Sequence, residues 1–134
     1  VPLWKNISLT GQMSYSWQHA IDITDETEKN YRDQIPYTPK HSGNFSAALQ
    51  MPWINISYLL TVVGDRYASP QNIERNLIDR YAEQTVSLNR TFTFGSCSLR
   101  LQFDIINIGN INYDVVKYYP MPGRSFRGGL VFIY

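Results

Sequence analysis

The sequence predicts an all-β fold, an antiparallel up-and-down meander of six long strands that forms part of a transmembrane β-barrel. Three observations support this prediction. Polar and apolar residues alternate along six segments of the chain. The links between these segments alternate between short turns and long loops. Finally, Phe, Trp and Tyr make up 14% of the residues and cluster towards the two ends of the segments.

The first segment shows the alternation most clearly. From Asn6 to Gln18 the even positions are polar, while the odd positions, from Ile7 to Trp17, are apolar or small. Residues two apart point to the same side of a strand, so the pattern indicates one wet face and one apolar face. The same reasoning predicts strands at about residues 5–18, 42–51, 54–66, 82–93, 97–107 and 125–134 of a single unit that spans residues 1–134.

The other five segments repeat the pattern less strictly. Leu59 and Val63 interrupt the polar side of the third segment, and Val131 and Ile133 interrupt that of the sixth. All prolines lie outside the segments or at their ends, as the hydrogen bonding of a sheet requires. Strands of this length suit a tilted membrane crossing, which needs roughly 9–11 residues, better than the average strand of about 5–6.

The connections and the aromatic residues agree with a membrane barrel. Short links at residues 52–53 and about 94–96 alternate with long links at about residues 21–41, 67–81 and 108–124. A meander places the short turns on one rim and the long loops on the other, as outer-membrane barrels do. Aromatic residues favour the two interfaces of a bilayer. On the apolar faces of the strands, we expect Trp4, Trp53, Phe92, Phe132 and Tyr134 near the short-turn rim, and Trp17, Tyr67, Tyr81 and Phe126 near the long-loop rim.

Composition excludes several classes of protein. The 12 basic and 11 acidic residues leave a formal charge of +1, which does not indicate a nucleic-acid-binding surface. The single cysteine, Cys97, excludes an intrachain disulfide and a zinc site built from several cysteines. No apolar run reaches the roughly 18 residues of a membrane helix. The two histidines, His19 and His41, lie in no nucleophile motif, so we expect no enzymatic activity and no cofactor.

Two polar features suggest specific sites, and each has a simpler interpretation. Calcium favours clustered carboxylates, but Lys29 and Arg32 lie among those of the first long loop, so we expect a solvated loop. These carboxylates belong to Asp22, Asp25, Glu26, Glu28 and Asp33. Glycosylation motifs arise automatically on a strand face rich in Asn, Ser and Thr, because residues two apart share a face. Such motifs begin at Asn6, Asn44, Asn55 and Asn89.

The last 25 residues carry the most specific signal. A loop motif consists of Tyr113, Pro120, Met121, Pro122, Gly123 and Arg124, and a strand that ends on Tyr134 follows it. This combination resembles the last loop and final strand of TonB-dependent outer-membrane receptors. The stretches at residues 37–41 and 63–67 resemble the C-terminal third of the same family. The chain departs from that family at Tyr134, where Phe or Trp is commoner, and at Val131 and Ile133, where polar residues are frequent.

The resemblance implies a role in transport. The family's 22-stranded barrels enclose a plug and import siderophores, haem, cobalamin or glycans with energy from TonB. We therefore expect a C-terminal fragment that supplies barrel wall and extracellular loops in the outer membrane of a Gram-negative bacterium, without the plug. The implied partners are membrane lipid and lipopolysaccharide, the remaining strands and plug, TonB through that plug, the barrel-assembly machinery and a surface lipoprotein.

Two groups of strand residues are candidate sites. The resemblance implies a barrel-assembly signal at the chain's end, formed by Gly128, Leu130, Phe132 and Tyr134. The alternation places Arg100, Asp104 and Arg127 on the polar face, and we expect them to form a polar network in the barrel lumen. Two other interpretations stay open. One is an oligomeric or other outer-membrane pore, and the second is a soluble β-sandwich or small barrel that binds an apolar ligand.

Overall fold

The structure is a computed structural model that describes residues 2–4 and 6–134 of the chain. In this part of the chain the regular structure is almost entirely β, with one short 3-10 helix at Glu74–Asn76. The strands are β1 (Pro2–Trp4), β2 (Ile7–Trp17), β3 (His41–Gln50), β4 (Asn55–Val63), β5 (Arg66–Tyr67), β6 (Leu77–Ile78), β7 (Tyr81–Phe94), β8 (Cys97–Ile106), β9 (Asp114–Val116), β10 (Tyr119–Pro120) and β11 (Ser125–Ile133).

The predicted all-β antiparallel meander is confirmed. The main sheet has the order β1-β2-β3-β4-β7-β8-β11, and all its neighbouring strands are antiparallel. Its six long strands have 9 to 14 residues each. The sheet is open, with β1 at one edge and β11 at the other.

The first and third predicted strands end differently from the prediction. Residue 5 lies outside the described residues, and Asn6 has a positive φ of 71°, so the long strand begins only at Ile7. The third strand stops at Val63, because the chain turns away at Gly64 and Asp65. A Cβ on Gly64 would lie 3.0 Å from the carbonyl oxygen of His41. The next residues form β5, which pairs with β6 in a separate two-stranded sheet.

Successive hairpins of the main sheet are staggered. Asn89 of β7 faces Asn55 at the start of β4, yet β7 continues to Phe94. At the opposite rim, β8 ends at Ile106, which faces Thr85 of β7, well inside the end of that strand. The β7–β8 hairpin therefore extends beyond the β3–β4 hairpin at the short-turn rim, and β7 extends beyond β8 at the long-loop rim. Closing a sheet of tilted strands into a barrel requires such a stagger.

The sheet is concave on its polar side. A cavity of about 450 Å³ is lined jointly by Thr10 and Gln12 of β2, Ser87 of β7 and Arg127 of β11. Five strand spacings separate β2 from β11, which would set their residues about 24 Å apart in a flat sheet. Residues of both strands line one cavity because the sheet curves around its polar face. The apolar face is therefore the convex one.

Hardly any hydrophobic side chain is buried. Among the residues whose burial is described, 6–134, Ile78 is the one hydrophobic residue below the surface, at 2% exposure, and it lies in the loop region. The main sheet is a single layer, and no second layer covers its apolar face in the described part of the chain. Across residues 2–4 and 6–134, no helix is long and apolar enough to cross a membrane.

Candidate functional site

The convex face of the sheet presents continuous apolar rows. In one row Met13 faces Phe45, which faces Leu60 on the next strand, and in another Leu101 faces Leu130. Met13 is 77% exposed and Leu130 is 75% exposed. Water would have to solvate these side chains, at a cost of about 25 cal/mol for each Å² of apolar surface. The face is therefore built to be covered by something other than the described chain.

A groove interrupts this face near the long-loop rim. It encloses about 740 Å³ between Met13, Tyr15, Phe45 and Leu60. Gly43 forms part of its wall, where a Cβ would lie 3.0 Å from the carbonyl oxygen of Ser14. The absence of a side chain at this position leaves the strand recessed between larger neighbours.

Aromatic residues lie at both ends of the convex face. At the short-turn end Phe92 stacks on Phe94 and Phe132 on Tyr134, with centroid distances of 6.4 Å and 6.3 Å. At the long-loop end the exposed aromatic residues are Tyr15, Trp17 and Phe126. The predicted positions of three aromatic residues need comment. Tyr81 pairs with Val63 on the other side of the sheet and Tyr67 lies in the loop strand β5, while the side chain of Trp4 is outside the described residues.

Hydrogen bonds join the strands across the concave face. Asn55 donates to Oδ1 of Asn89 at 3.0 Å, and Thr61 donates to Oδ1 of Asn44 at 3.1 Å. Three of the four glycosylation motifs thus begin at asparagines that connect strands, as expected for a polar strand face. Asn6, the fourth, lies in a turn instead of a strand.

Asp104 is a buried carboxylate at the centre of a polar cluster on the concave face. It is 0% exposed, and its Oδ2 accepts a 2.7 Å hydrogen bond from Nε of Arg127. Nε2 of Gln102 donates to both carboxylate oxygens, at 3.0 and 3.1 Å. Of the predicted network, the structure brings Asp104 and Arg127 together. Arg100 shares their face but forms no ion pair with Asp104.

The three long loops contact one another at the rim. The backbone N–H of Tyr37 in the first loop donates to the carbonyl oxygen of Tyr67 in the second, at 2.8 Å. Asp33 of the first loop accepts a 3.0 Å hydrogen bond from the backbone N–H of Asn72. Lys117 of the third loop donates to the carbonyl oxygen of Leu77 in the second. Together they form one structure above the sheet.

Arg66 anchors the second loop to the third. It is only 4% exposed, and its Nη2 donates to the carbonyl oxygens of Asp114 and Val115, at 2.7 and 3.0 Å. Its Cζ lies 5.5 Å from the ring centroid of Tyr81, which stacks on Tyr113 at 4.3 Å. Burial first, and then the nearby charge of Glu83, raise the pKa of the Tyr113 hydroxyl.

Asn107 organises the third loop from within. It is 1% exposed with a φ of 54°, and its amide donates to the carbonyl oxygens of Ile111 and Pro122, at 2.9 and 3.2 Å. Its Oδ1 accepts from the backbone N–H of Ile111 at 3.0 Å. Asparagine tolerates this left-handed conformation better than most residues. The alternation of apolar residues carries no signal for such a role, and only the Asn-rich composition of the segment hints at it.

The predicted loop motif folds around Asn107. Tyr113 stacks on Tyr81, and its carbonyl oxygen accepts from the backbone N–H of Met121 at 2.9 Å. Pro120 lies in β10, which pairs with β9, and Pro122 accepts from Asn107.

The end of the motif is held by Asn110. Oδ1 of Asn110 accepts from the backbone N–H of Arg124 at 2.9 Å, and a Cβ on Gly123 would lie 2.8 Å from the same oxygen. The guanidinium group of Arg124 donates through Nη2 to the carbonyl oxygen of Ile108 at 2.6 Å. Glycine at position 123 therefore allows a close approach that a larger residue would prevent.

Two carboxylates of the first loop, those of Asp22 and Asp25, serve as turn caps. Oδ1 of Asp22 accepts from the backbone N–H of Thr24, and Oδ1 of Asp25 accepts from the backbone N–H and hydroxyl of Thr27, all within 2.9 Å. These hydrogen bonds from Thr24 and Thr27 hold the pKa of each carboxyl below its ordinary value. Among the described residues, no group of three or more His, Cys, Asp or Glu side chains is arranged to hold a metal ion.

The two histidines and the cysteine lie apart from the clusters described above. The hydroxyl of Tyr15 lies 2.8 Å from Nδ1 of His41, and His19 is exposed. Cys97 is a free thiol, and it is the first residue of β8, where it faces Phe94.

Two comparisons of the chain with known proteins give no match. No protein-family model matches it, and no curated protein sequence matches it.

Proposed function

We propose that the chain forms part of the wall of an outer-membrane β-barrel, as the C-terminal portion of a TonB-dependent receptor that imports a siderophore, haem, cobalamin or glycan. One observation carries the membrane part of this proposal, namely that the sheet is concave on its polar face and apolar on its convex face. A membrane barrel has this arrangement, with lipid outside and water or a plug within. The receptor family itself rests on the resemblance of the terminal loop and strand.

The same observation disfavours a soluble sandwich or a small barrel with an apolar ligand. Both would place the apolar residues on the inner side, against a second sheet or the ligand. Here Met13 and Leu130 project from the convex side and are more than two-thirds exposed. The groove beside Gly43 also opens on that side.

The rims support an orientation. Short turns connect β3 to β4 and β7 to β8, whereas the three long loops leave the opposite rim. Outer-membrane barrels have short periplasmic turns and long extracellular loops. In this orientation the interlocked loops around Arg66 and Asn107 face the outside, where they would contribute to substrate capture or to contact with a surface lipoprotein.

The free edges require partner strands. β11 pairs with β8 on one side only, and its other edge has no partner in the described structure. Open sheet edges are not tolerated in lipid, so further strands must complete the barrel. They could belong to the same polypeptide, as in a receptor, or to further copies, as in an oligomeric pore.

Spin labels test the membrane proposal through two adjacent pairs of residues. Leu88 and Leu101 face the convex side, whereas Asn89 and Gln102 face each other on the concave side. In vesicles, labels at Leu88 and Leu101 should be accessible to oxygen dissolved in lipid, and labels at Asn89 and Gln102 to a water-soluble relaxation agent. The proposal is refuted if both pairs are equally accessible to the water-soluble agent and the protein is stable without detergent.

The reading frame that encodes the chain distinguishes the receptor proposal from the oligomeric pore. A plug-like domain encoded on the N-terminal side would support the receptor. A short polypeptide that migrates as an oligomer in mild detergent would favour the pore.

A further inference from the structure

Arg90 is out of place on the convex face. The apolar side of the six long strands carries no other Arg and no Lys, Asp or Glu. It faces Leu101, which faces Leu130 on the edge strand, and it lies between Leu88 and Phe92 on its own strand. Arginine at the middle of a lipid-facing surface is costly, but the cost falls to about 0–1 kcal/mol near the interface.

The side chain of Arg90 points towards the short-turn rim. Its Cζ lies 4.4 Å from the ring centroid of Phe92, two residues nearer the β7–β8 turn. Phe94 lies two residues further on, and Trp53 lies in the neighbouring turn; they are 64% and 58% exposed. Long cationic side chains extend in this way to bring the charge to the interface while the stem remains in apolar surroundings.

No acid of the described chain neutralises Arg90. The convex side of the six long strands carries no Asp or Glu, and Arg90 forms no ion pair with any residue of the described segments. The guanidinium lies over the face of the Phe92 ring, and its N–H groups have no hydrogen-bond acceptor among the described residues. A planar guanidinium matches the oxygens of a phosphate, which it binds through two parallel hydrogen bonds.

We propose that Arg90, at the aromatic rim formed with Phe92, Phe94 and Trp53, is a binding site for the phosphate of an anionic phospholipid headgroup. This inference rests on the proposed membrane barrel and its orientation. The lipid acyl chains would lie along Leu101 and Leu130, and the phosphate would meet the guanidinium at the level of Phe92. An anionic lipid is favoured over a zwitterionic one because it has no ammonium group to compete for its phosphate.

Competition between two lipids tests the site. The protein, in the full-length form in which it is expressed, is purified in detergent and mixed with phosphatidylglycerol and phosphatidylcholine, and native mass spectrometry counts the bound lipids. We expect phosphatidylglycerol to be preferred, and Arg90→Gln to reduce that preference about fivefold, which corresponds to about 1 kcal/mol. Arg90→Lys should retain part of the preference. Addition of inorganic phosphate at equal concentration should not displace the lipid.

Arg100→Gln is the matched control, since it removes the same charge from the concave face, one register row away. It should leave the lipid preference unchanged. The site is refuted if Arg90→Gln retains the wild-type preference, if Arg100→Gln reduces it equally, or if inorganic phosphate displaces the lipid.

Fluorescence separates failure of this site from failure of the barrel proposal. In a variant that keeps Trp53 as its single tryptophan, lipids brominated near the headgroup should quench the emission. Quenching together with an unchanged preference in Arg90→Gln would refute the Arg90 site alone. If no lipid quenches Trp53, the membrane barrel itself is refuted.

Discussion

Arg127 and Asp104 face each other in the register of the last two strands, and Nε of Arg127 lies 2.7 Å from Oδ2 of Asp104. The two partners differ in environment, because the Asp104 side chain is 1% exposed and the Arg127 side chain is 67% exposed. The carboxylate therefore depends on its hydrogen-bond donors, whereas the guanidinium group can be solvated by water. The two partners should respond differently to substitution.

Asp104→Asn should destabilise the protein by about 1–3 kcal/mol, because it weakens a charge-assisted hydrogen bond at a buried position. Arg127→Gln should cost about 0–1 kcal/mol, since the arginine is mostly exposed and Gln102 continues to donate to Asp104. Urea unfolding in detergent micelles, followed by tryptophan fluorescence, measures both changes.

The control for this pair is Arg100→Gln, which lies on the same face but outside the cluster. Substitutions at such sites usually change stability by no more than about 0.5 kcal/mol. A loss at Arg100 as large as that at Asp104 would contradict the central role of the buried carboxylate.

Asn107→Ala should loosen the third loop without unfolding the sheet. The substitution removes the side-chain hydrogen bonds to Ile111 and Pro122 and places alanine at a φ of 54°, which costs about 1 kcal/mol or more. Hydrogen exchange of residues 108–124 should accelerate by about tenfold, as expected for a loss of about 1.4 kcal/mol. Exchange in β7 and β8 should stay slow.

Asn107→Gly is the matched control for the backbone term, because glycine adopts this conformation without strain. It should accelerate exchange of the loop less than alanine does, and the remaining effect measures the lost side-chain hydrogen bonds. Unchanged exchange in both variants would show that Asn107 does not hold the loop.

The regular part of the fold could be predicted because alternation and register constrain each other. A shift of one residue would move Met13 and Leu101 to the polar face, so the pattern of the sequence fixes the face of each long strand. The same logic places Asp104 and Arg127 on one face. The pattern could not show that Arg100 lies outside the Asp104–Arg127 pair. Arg100 faces Thr91 and Val131, and it lies four residues along β8 from Asp104, which is about 14 Å.

The loops could not be predicted in this way, because their structure depends on single residues. Asn107, Asn110 and Asn6 have positive φ, and Arg66 is buried by contacts with residues 48 and 49 positions away in sequence. Neither feature produces a periodic pattern. The short pairs β5–β6 and β9–β10 form only where these contacts hold the loop strands together.

Acid should weaken the turn around Asp25. The hydrogen bonds from Thr27 depress the pKa of Asp25 in the folded chain, so their contribution is fully present above the unfolded value of about 3.9. It is lost as the pH falls through the lower folded value. An NMR titration of the Thr27 amide proton should have its midpoint below that of the chain in urea, and Asp25→Asn should abolish the transition. A midpoint at or above the urea value would contradict the assignment.

The apolar side of the last strand should matter for assembly in cells more than for stability. Phe132 and Tyr134 are 62% and 96% exposed, and they stack on each other. If the barrel-assembly machinery recognises them, Phe132→Ala combined with deletion of Tyr134 should reduce the folded protein in the outer membrane severalfold. Refolding of the same variant from urea into detergent should remain close to that of the wild type, because the pairing of β11 with β8 is kept. Ile133→Ala, on the opposite face of the same strand, serves as the control and should leave both yields unchanged. Equal losses in cells and in detergent would assign these rings to folding instead of recognition.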